Sequence, residues 1–452
     1  MTQIAEWDKK GCYSYRKIKA VTVPILLSML IEHLIGMTDT AFLGRVNEVA
    51  LGASALGTVY FLAFFVIGTG FSTGAQIIIA RRNGENDFRK IGEICYAGGF
   101  FLILFSFLLI AVCKIFSPMI LPAMIKSPEI CRATIEYLDW RAYGLFFVFV
   151  SAVFRAFYVG IADTKILTYS SVAMVLTNIM LNYGLIFGKY GMPEMGIAGA
   201  ALASSIAEGI AMLFYIIYTV KFVNLKKYGF DTFSAVINPD ILKNVFSVSF
   251  WMMLQPFVSI AVWFFFFIAV ERVGARQLAV INIARALSGL QFIIIHAFAT
   301  AANTLVSNLM GEGKSHLVWR LIGKVSAGAY AVTTPLLLIY VIFPELCLRV
   351  YTDNPDLIAA SIDVIYVMSF SSFLQIGAFI LFNAVAGTGA VKMTVLFEFI
   401  SLFIYSMLVW LVILKMNPSP AVAWSAEIQY QLVTGGGCLI YVLWGNWRNK
   451  KL

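Results

Sequence analysis

The sequence predicts an all-α membrane protein with twelve transmembrane helices, in two six-helix lobes related by a pseudo-two-fold axis along the membrane normal. Three observations carry this expectation. Of the 452 residues, 60% are hydrophobic and 13% charged, whereas a soluble domain is about 45–50% apolar and about 25% charged. Mean hydropathy is +0.85. Apolar runs long enough to cross about 30 Å of hydrocarbon recur from end to end. Finally, a shift of 227 residues superposes the second half of the chain on the first.

The twelve runs occupy residues 21–43, 50–79, 92–117, 138–161, 166–187, 196–219, 246–270, 277–306, 322–343, 360–385, 393–415 and 421–444. The first contains Pro24, which removes a helical N–H and permits a kink, and two acids, Glu32 and Asp39. The second ends before Arg81-Arg82 and Gly84-Glu85, and the fourth ends one residue after Gly160, ahead of Asp163-Thr164-Lys165. The fifth holds Asn178 and Asn182, and the sixth Ser204 and Glu208. In the second half, Pro256 interrupts the seventh run and Glu398 lies inside the eleventh. Gly435-Gly436-Gly437 in the twelfth reads as close helix packing.

The repeat rests on a common offset. Val46 falls on Val273, Gly84-Glu85 on Gly311-Glu312, Pro128 on Pro355, Gly160 on Gly387 and Lys165 on Lys392. Six spans is an even number, so both halves enter the membrane in the same direction. Substrate sites of repeat transporters lie between the halves near the midplane. The expected layout is a tail at 1–20, an N-terminal lobe at 21–219, a linker at 220–245 containing Asn238-Pro239, a C-terminal lobe at 246–444 and a tail at 445–452. Phe266 is the counterpart of Asp39, so the repeat is chemically asymmetric.

The net charge is +9, and its distribution matters more than its size. Lys9, Lys10, Arg16, Lys17 and Lys19 precede the first run. Arg81, Arg82, Arg89 and Lys90 follow the second, Lys221, Lys226, Lys227 and Lys243 the sixth, Lys314, Arg320 and Lys324 the eighth, and Arg448, Lys450 and Lys451 the twelfth. This is the positive-inside pattern. It places both termini in the cytoplasm of a multi-pass protein of the cytoplasmic (inner) membrane. The basic balance then reflects a lipid bilayer and not a nucleic acid. The six cysteines are scattered, so neither a disulfide framework nor a metal site follows. Nothing in the chain has the spacing of a catalytic nucleophile, a phosphate loop or a metal-ligand set. An enzyme is not expected, nor is a cofactor.

An ionisable group inside a span costs roughly 2.5–3.5 kcal/mol on insertion scales, so each needs a partner or a task. Glu32 and Asp39 are seven residues apart, about two helical turns, and project from one helix face. Asn178 and Asn182 are four apart and share a face, as do Ser204 and Glu208. Asp39 can exist as an acid hydrogen-bonded to Asn178 or Asn182, or as a carboxylate on Na⁺, a hard cation that prefers oxygen ligands. Glu32, His33, Glu208 and Glu398 are candidates for carrying a proton or contacting a cationic substrate. The alternative for all of them is a structural hydrogen-bond network between helices. Interior arginines such as Arg155 and Arg285 read as clamps on carbonyls or on a Glu.

These residues resemble the multidrug and toxic compound extrusion (MATE) transporters. Asp39-Thr40-x-x-x-Gly44-Arg45 looks like that family's first-helix motif, and Gly84-Glu85-Asn86 with Gly311-Glu312-Gly313 like its paired cytoplasmic loops. Gly160-x-x-Asp163-Thr164-Lys165 is similar to the turn after its fourth span. Asn178-x-x-x-Asn182-Tyr183 with Gly199-Ala200-Ala201 resembles its fifth and sixth spans. The resemblance implies a monomeric secondary antiporter that exports amphipathic, cationic organic compounds in exchange for H⁺ or Na⁺. It also implies a cation-coupling set at Asp39, Asn178, Asn182 and Ser204, with Asp39, Asn178 and Asn182 as the Na⁺ ligands if sodium is the coupling ion. Pro24 would allow a protonation-linked bend of the first helix. Acidic positions of the NorM-like branch match Ser259 and Gln375 here, which tilts the resemblance toward the DinF-like branch and away from a C-terminal cation site. A flippase for a lipid-linked precursor, from the same superfamily, is the alternative.

Overall fold

The computed structural model describes residues 7–8, 11–230, 239–416, 418–448 and 450. Lys9, Lys10, Asn238 and Lys451 lie outside the described residues. Among these residues the regular elements are helices. They run α1 Tyr15–Leu43, α2 Glu48–Gly84, α3 Phe88–Met124, α4 Pro128–Arg141, α5 Gly144–Gly160, α6 Lys165–Phe187, α7 Gly196–Phe222, α8 Pro239–Val273 and α9 Ala275–Gly311. The second half continues with α10 Val318–Ile342, α11 Pro344–Leu348, α12 Pro355–Gly387, α13 Val391–Leu408, α14 Leu414–Met416, α15 Pro420–Trp424 and α16 Ala426–Trp444. A 3₁₀ turn, Ser315–Leu317, precedes α10, and one π-helical segment, Val409–Ile413, continues α13.

Local chemistry sets the boundaries. Asn47 caps α2 by accepting a hydrogen bond from the Ala50 amide, with Glu48 in the first turn, where a negative charge suits the helix dipole. Ser127 and Asn354 cap α4 and α12, each followed by a proline at the first helical position, which needs no donor there. α1 stays helical through Pro24.

The repeat is visible in the backbone. Both ends of α2 and α9 are 227 residues apart. Asn86 and Gly313 both turn with positive φ, as do Ala162 and Gly389 at the next equivalent pair. A Cβ on Gly160 would lie 3.2 Å from the Gln76 carbonyl, and one on Gly387 would lie 2.4 Å from the carbonyl of Asn303, the counterpart of Gln76. The same close crossing is therefore built twice, and each needs glycine.

The halves also differ. Where the second uses one helix, α12, the first breaks into α4 and α5, bent by 45°. Among the described residues, ten helices are long and apolar enough to cross a membrane, or eleven with that bent pair. The twelfth expected run is carried by α15 and α16, and Glu427, Gln429 and Gln431 make the start of α16 polar.

The chain forms two compact units, Val23–Met253 and Leu254–Leu452 with Met1–Thr22. In the first, α2 packs on α3, α4 and α5, and α6 on α7. Gly70 and Gly74 of α2 admit the backbone of α8 at Met252 and Ser249. In the second, α12 packs on α9, α10 and α16, and α13 on α16. There the segment before α1 is held at the start of α10: Asp8 pairs with Arg320 at 2.8 Å and Lys324 at 2.6 Å. Tyr13 donates to Glu312 at 2.7 Å. Interiors are rich in Ala, Gly, Ser and Asn, whereas Phe107, Leu108, Ile115 and Phe403 lie on the outside. Small residues inside and large apolar ones outside is the pattern of helices packed in lipid.

Candidate cation-coupling site

In the first unit, three helices bring four predicted residues together. Gly199 of α7 sits against the Leu185 carbonyl of α6, where a Cβ would be 2.5 Å away, and Ala198, Ala200, Ala201 and Ala203 are buried around it. This tight crossing sets Asn178 and Asn182 of α6 beside Ser204 of α7. Asn178 and Asn182 are fully buried. The Asn178 amide donates to Ser204 Oγ at 3.1 Å, and the Asn182 amide donates to Asn178 Oδ1 at 3.0 Å. Asp39 of α1 receives the remaining donors, from Asn182 Nδ2 at 2.6 Å and Ser204 Oγ at 3.1 Å.

Both Asp39 oxygens thus accept from neutral groups, and among the described residues no cation lies in ion-pair contact with it. Asn182 Oδ1 is buried and has no donor among the described residues. An unpaired buried carbonyl is costly, on the order of 1–3 kcal/mol. The set offers one carboxylate, two amides and one hydroxyl, oxygen donors suited to a hard monovalent ion. It is equally able to hold a proton on Asp39.

The other predicted acids of this unit are clamped. Glu208 accepts two hydrogen bonds from Arg141 of α4, at 2.7 and 2.5 Å, the fork geometry that makes arginine–carboxylate pairs strong. Gly144 provides the room: a Cβ there would lie 2.2 Å from the guanidinium and 2.4 Å from Glu208. Arg141 also stacks on the Phe61 ring at 3.8 Å and acts on Asp39 through space. Glu32 is held more loosely by Arg155, at 3.4 Å, and accepts from Ser28 and Ser171, each at 2.8 Å. Glu32 and Asp39, which share α1, therefore belong to separate clusters. His33 is exposed and is not brought into either. The Pro24 carbonyl accepts from Thr168 at 3.0 Å, tying α1 to α6.

In the second unit, Glu398 of α13 is 1% exposed. It accepts from Gln255 at 2.7 Å and Ser259 at 2.5 Å, both on α8, and from Tyr430 of α16 at 3.0 Å. Phe266 packs on Tyr405 and Trp424. Tyr405 donates to the buried Glu427 at 3.0 Å.

Sequence reasoning missed Arg141, Glu427, Ser28, Ser171 and Tyr430. The repeat carried a signal for two of them, because the 227-residue offset takes Ser28 to Gln255 and Ser171 to Glu398.

A family model, MatE, matches the chain twice, over residues 24–184 and 247–411. The chain belongs to the MatE family, the MATE transporters. A probable multidrug resistance protein NorM of Thermotoga maritima is 26% identical over 443 residues, 96% of this chain and 93% of the relative. One from Synechocystis is 28% identical over about half of each chain. Among solved structures, an outward-facing multidrug resistance MATE transporter of the MOP superfamily matches with TM-score 0.87 at 17% identity, over 96% of this chain and 97% of that one. A MOP superfamily transporter from Pyrococcus furiosus matches with TM-score 0.86 at 17% identity, over 96% and 95%. The MATE fold is all-α with twelve membrane helices in two lobes, and its members are transporters, not enzymes. The protein is accordingly a multi-pass membrane transporter with multidrug-efflux homologues.

Proposed function

We propose that this MATE protein is a secondary antiporter that exports amphipathic, cationic organic compounds in exchange for H⁺ or Na⁺, with Asp39 as the main coupling residue. The observation that carries the reading is the Asp39 cluster. It is the one predicted acid of the first unit whose hydrogen bonds come from neutral groups alone, and it lies beside a buried amide oxygen with no donor. Glu208 and Glu32 hold an arginine each, so their charge is already answered.

An antiporter needs two states that differ in affinity for the coupling ion. Asp39 sits on α1, and its donors sit on α6 and α7. A movement of α1 would separate the carboxylate from Asn182 and Ser204, and that changes the affinity directly. Pro24 and the Thr168 contact to its carbonyl are where such a bend would start. In this reading the two repeats, 21–219 and 246–444, are the two transport lobes, the protein works as a monomer, and both termini face the cytoplasm of the inner membrane.

The test is a resistance assay in an exporter-deficient host. Asp39→Asn should abolish protection against cationic drugs with expression unchanged, while Glu32→Gln should weaken it less. Normal protection by Asp39→Asn would remove the proposal's basis.

A further inference from the structure

The 227-residue offset carries the Glu32 cluster onto the surroundings of Glu398. Ser28 maps to Gln255, Glu32 to Ser259, Ser171 to Glu398 and Arg155 to Phe382. In the first unit Ser28 and Ser171 donate to Glu32. In the second, Gln255 and Ser259 donate to Glu398. Serine and glutamate have exchanged helices, and the carboxyl group stays. The arginine does not: Phe382 is buried in its place.

Glu398 is therefore the counterpart of an ion-paired acid, without the cation. The titratable groups acting around it are Tyr430, Glu427 and Cys438 of α16, with Tyr405 of α13 beside Glu427. α8 presents the neutral Gln255 and Ser259. Among the described residues no Lys, Arg or His pairs with Glu398 or Glu427. All three donors to Glu398 reach Oε1, so Oε2 receives none of them. A buried carboxylate without a counter-charge is strongly disfavoured in a low-dielectric interior.

Thr434 adds an independent observation. It is 4% exposed, and its hydroxyl has no partner among the described residues. It lies one helical turn from both Tyr430 and Cys438, the two α16 residues that act on Glu398. Residues four apart share a helix face, which puts Thr434 on the α16 face that carries Tyr430 and Cys438.

We propose that Glu398 is a second exchangeable-proton site, carried by the C-terminal unit and separate from Asp39. The step is a plain acid–base exchange. The proton leaves Oε2 for a water molecule, giving hydronium, and the electron pair stays on the carboxylate, which keeps its three donors on Oε1. Thr434 supplies a hydrogen-bonding group for that water. Glu427 is the second acid of the compartment.

Infrared difference titration of the purified full chain in lipid nanodiscs tests this, following the C=O stretch of protonated carboxyl groups. The range from about pH 4 to about pH 9 covers ordinary and buried carboxyl groups. Glu398→Gln should remove a titrating component that Asp39→Asn leaves in place. Ser259→Ala keeps the acid and should move the midpoint of that component, so the proposal stays testable if Glu398→Gln does not fold. A Glu398→Gln titration identical to wild type would overturn the assignment. So would loss of the component on adding NaCl at constant pH, which would make the ligand Na⁺. Because the readout is protonation and not export, it is independent of the antiport reading.

Discussion

The centre of the first unit holds Asp39, Asn178, Asn182 and Ser204. The repeat offset places Phe266, Tyr405, Val409 and Gln431 at the corresponding positions of the second. One centre is a polar cluster around a carboxylate, and the other is aromatic packing of Phe266 on Tyr405 and Trp424. The neighbouring acids differ in the opposite sense. Glu32 and Glu208 of the first unit are answered by arginines, whereas Glu398 of the second has only neutral donors. A duplicated backbone thus keeps its crossings and changes which acid is left without a fixed counter-charge. What separates these acids in the structure is whether an arginine sits beside them.

Substitutions can break this contrast at graded strength. The largest effect is expected for Arg141→Met, which leaves Glu208 largely buried and unpaired. Breaking a buried pair by removing one partner costs about 3–5 kcal/mol, so the melting temperature in detergent should fall steeply. Removing both charges, with Arg141→Met and Glu208→Leu together, should recover much of the loss. A double variant as unstable as the single one would mean that the pair is not the source.

Gly144→Ala should come next. Its methyl group would enter the space of the guanidinium, and such overpacking costs about 1–3 kcal/mol. Stability measured alongside Arg141→Met should show less than additive losses when the two are combined, because both act on one ion pair.

The mildest expected change is Arg155→Phe, which copies the second unit into the first. Arg155 and Glu32 are each about one-third exposed, and a pair of that kind contributes at most about 1 kcal/mol. Stability should barely move, and a melting temperature as low as that of Arg141→Met would show that the Arg155 pair is not the weaker of the two.

The fold was legible because lipid imposes it: apolar runs of span length and a constant offset are hard to hide. The break between α4 and α5 was not, since the run 138–161 contains no proline, and Asp139, Arg141 and Gly144 near its start do not by themselves mark a bend. It falls where Arg141 turns toward Glu208, a partner 67 residues away. Asp39 could be named because it is an acid inside an apolar run, and Asn178, Asn182 and Ser204 because the family resemblance implies a cation set there, with Asn178 and Asn182 four apart on one face. Which acid has an arginine could not be read, because such pairing depends on helix rotation and crossing. Glu32 and Arg155, 123 residues apart, meet only in three dimensions.

The most direct test of the coupling role of Asp39 is dye efflux from proteoliposomes, with a pH gradient and a Na⁺ gradient imposed separately on wild type and Asp39→Asn. Wild type should export a cationic dye under one or both gradients, and Asp39→Asn should show no gradient-driven efflux while still binding the dye. Gradient-driven efflux by Asp39→Asn at the wild-type rate would contradict the account.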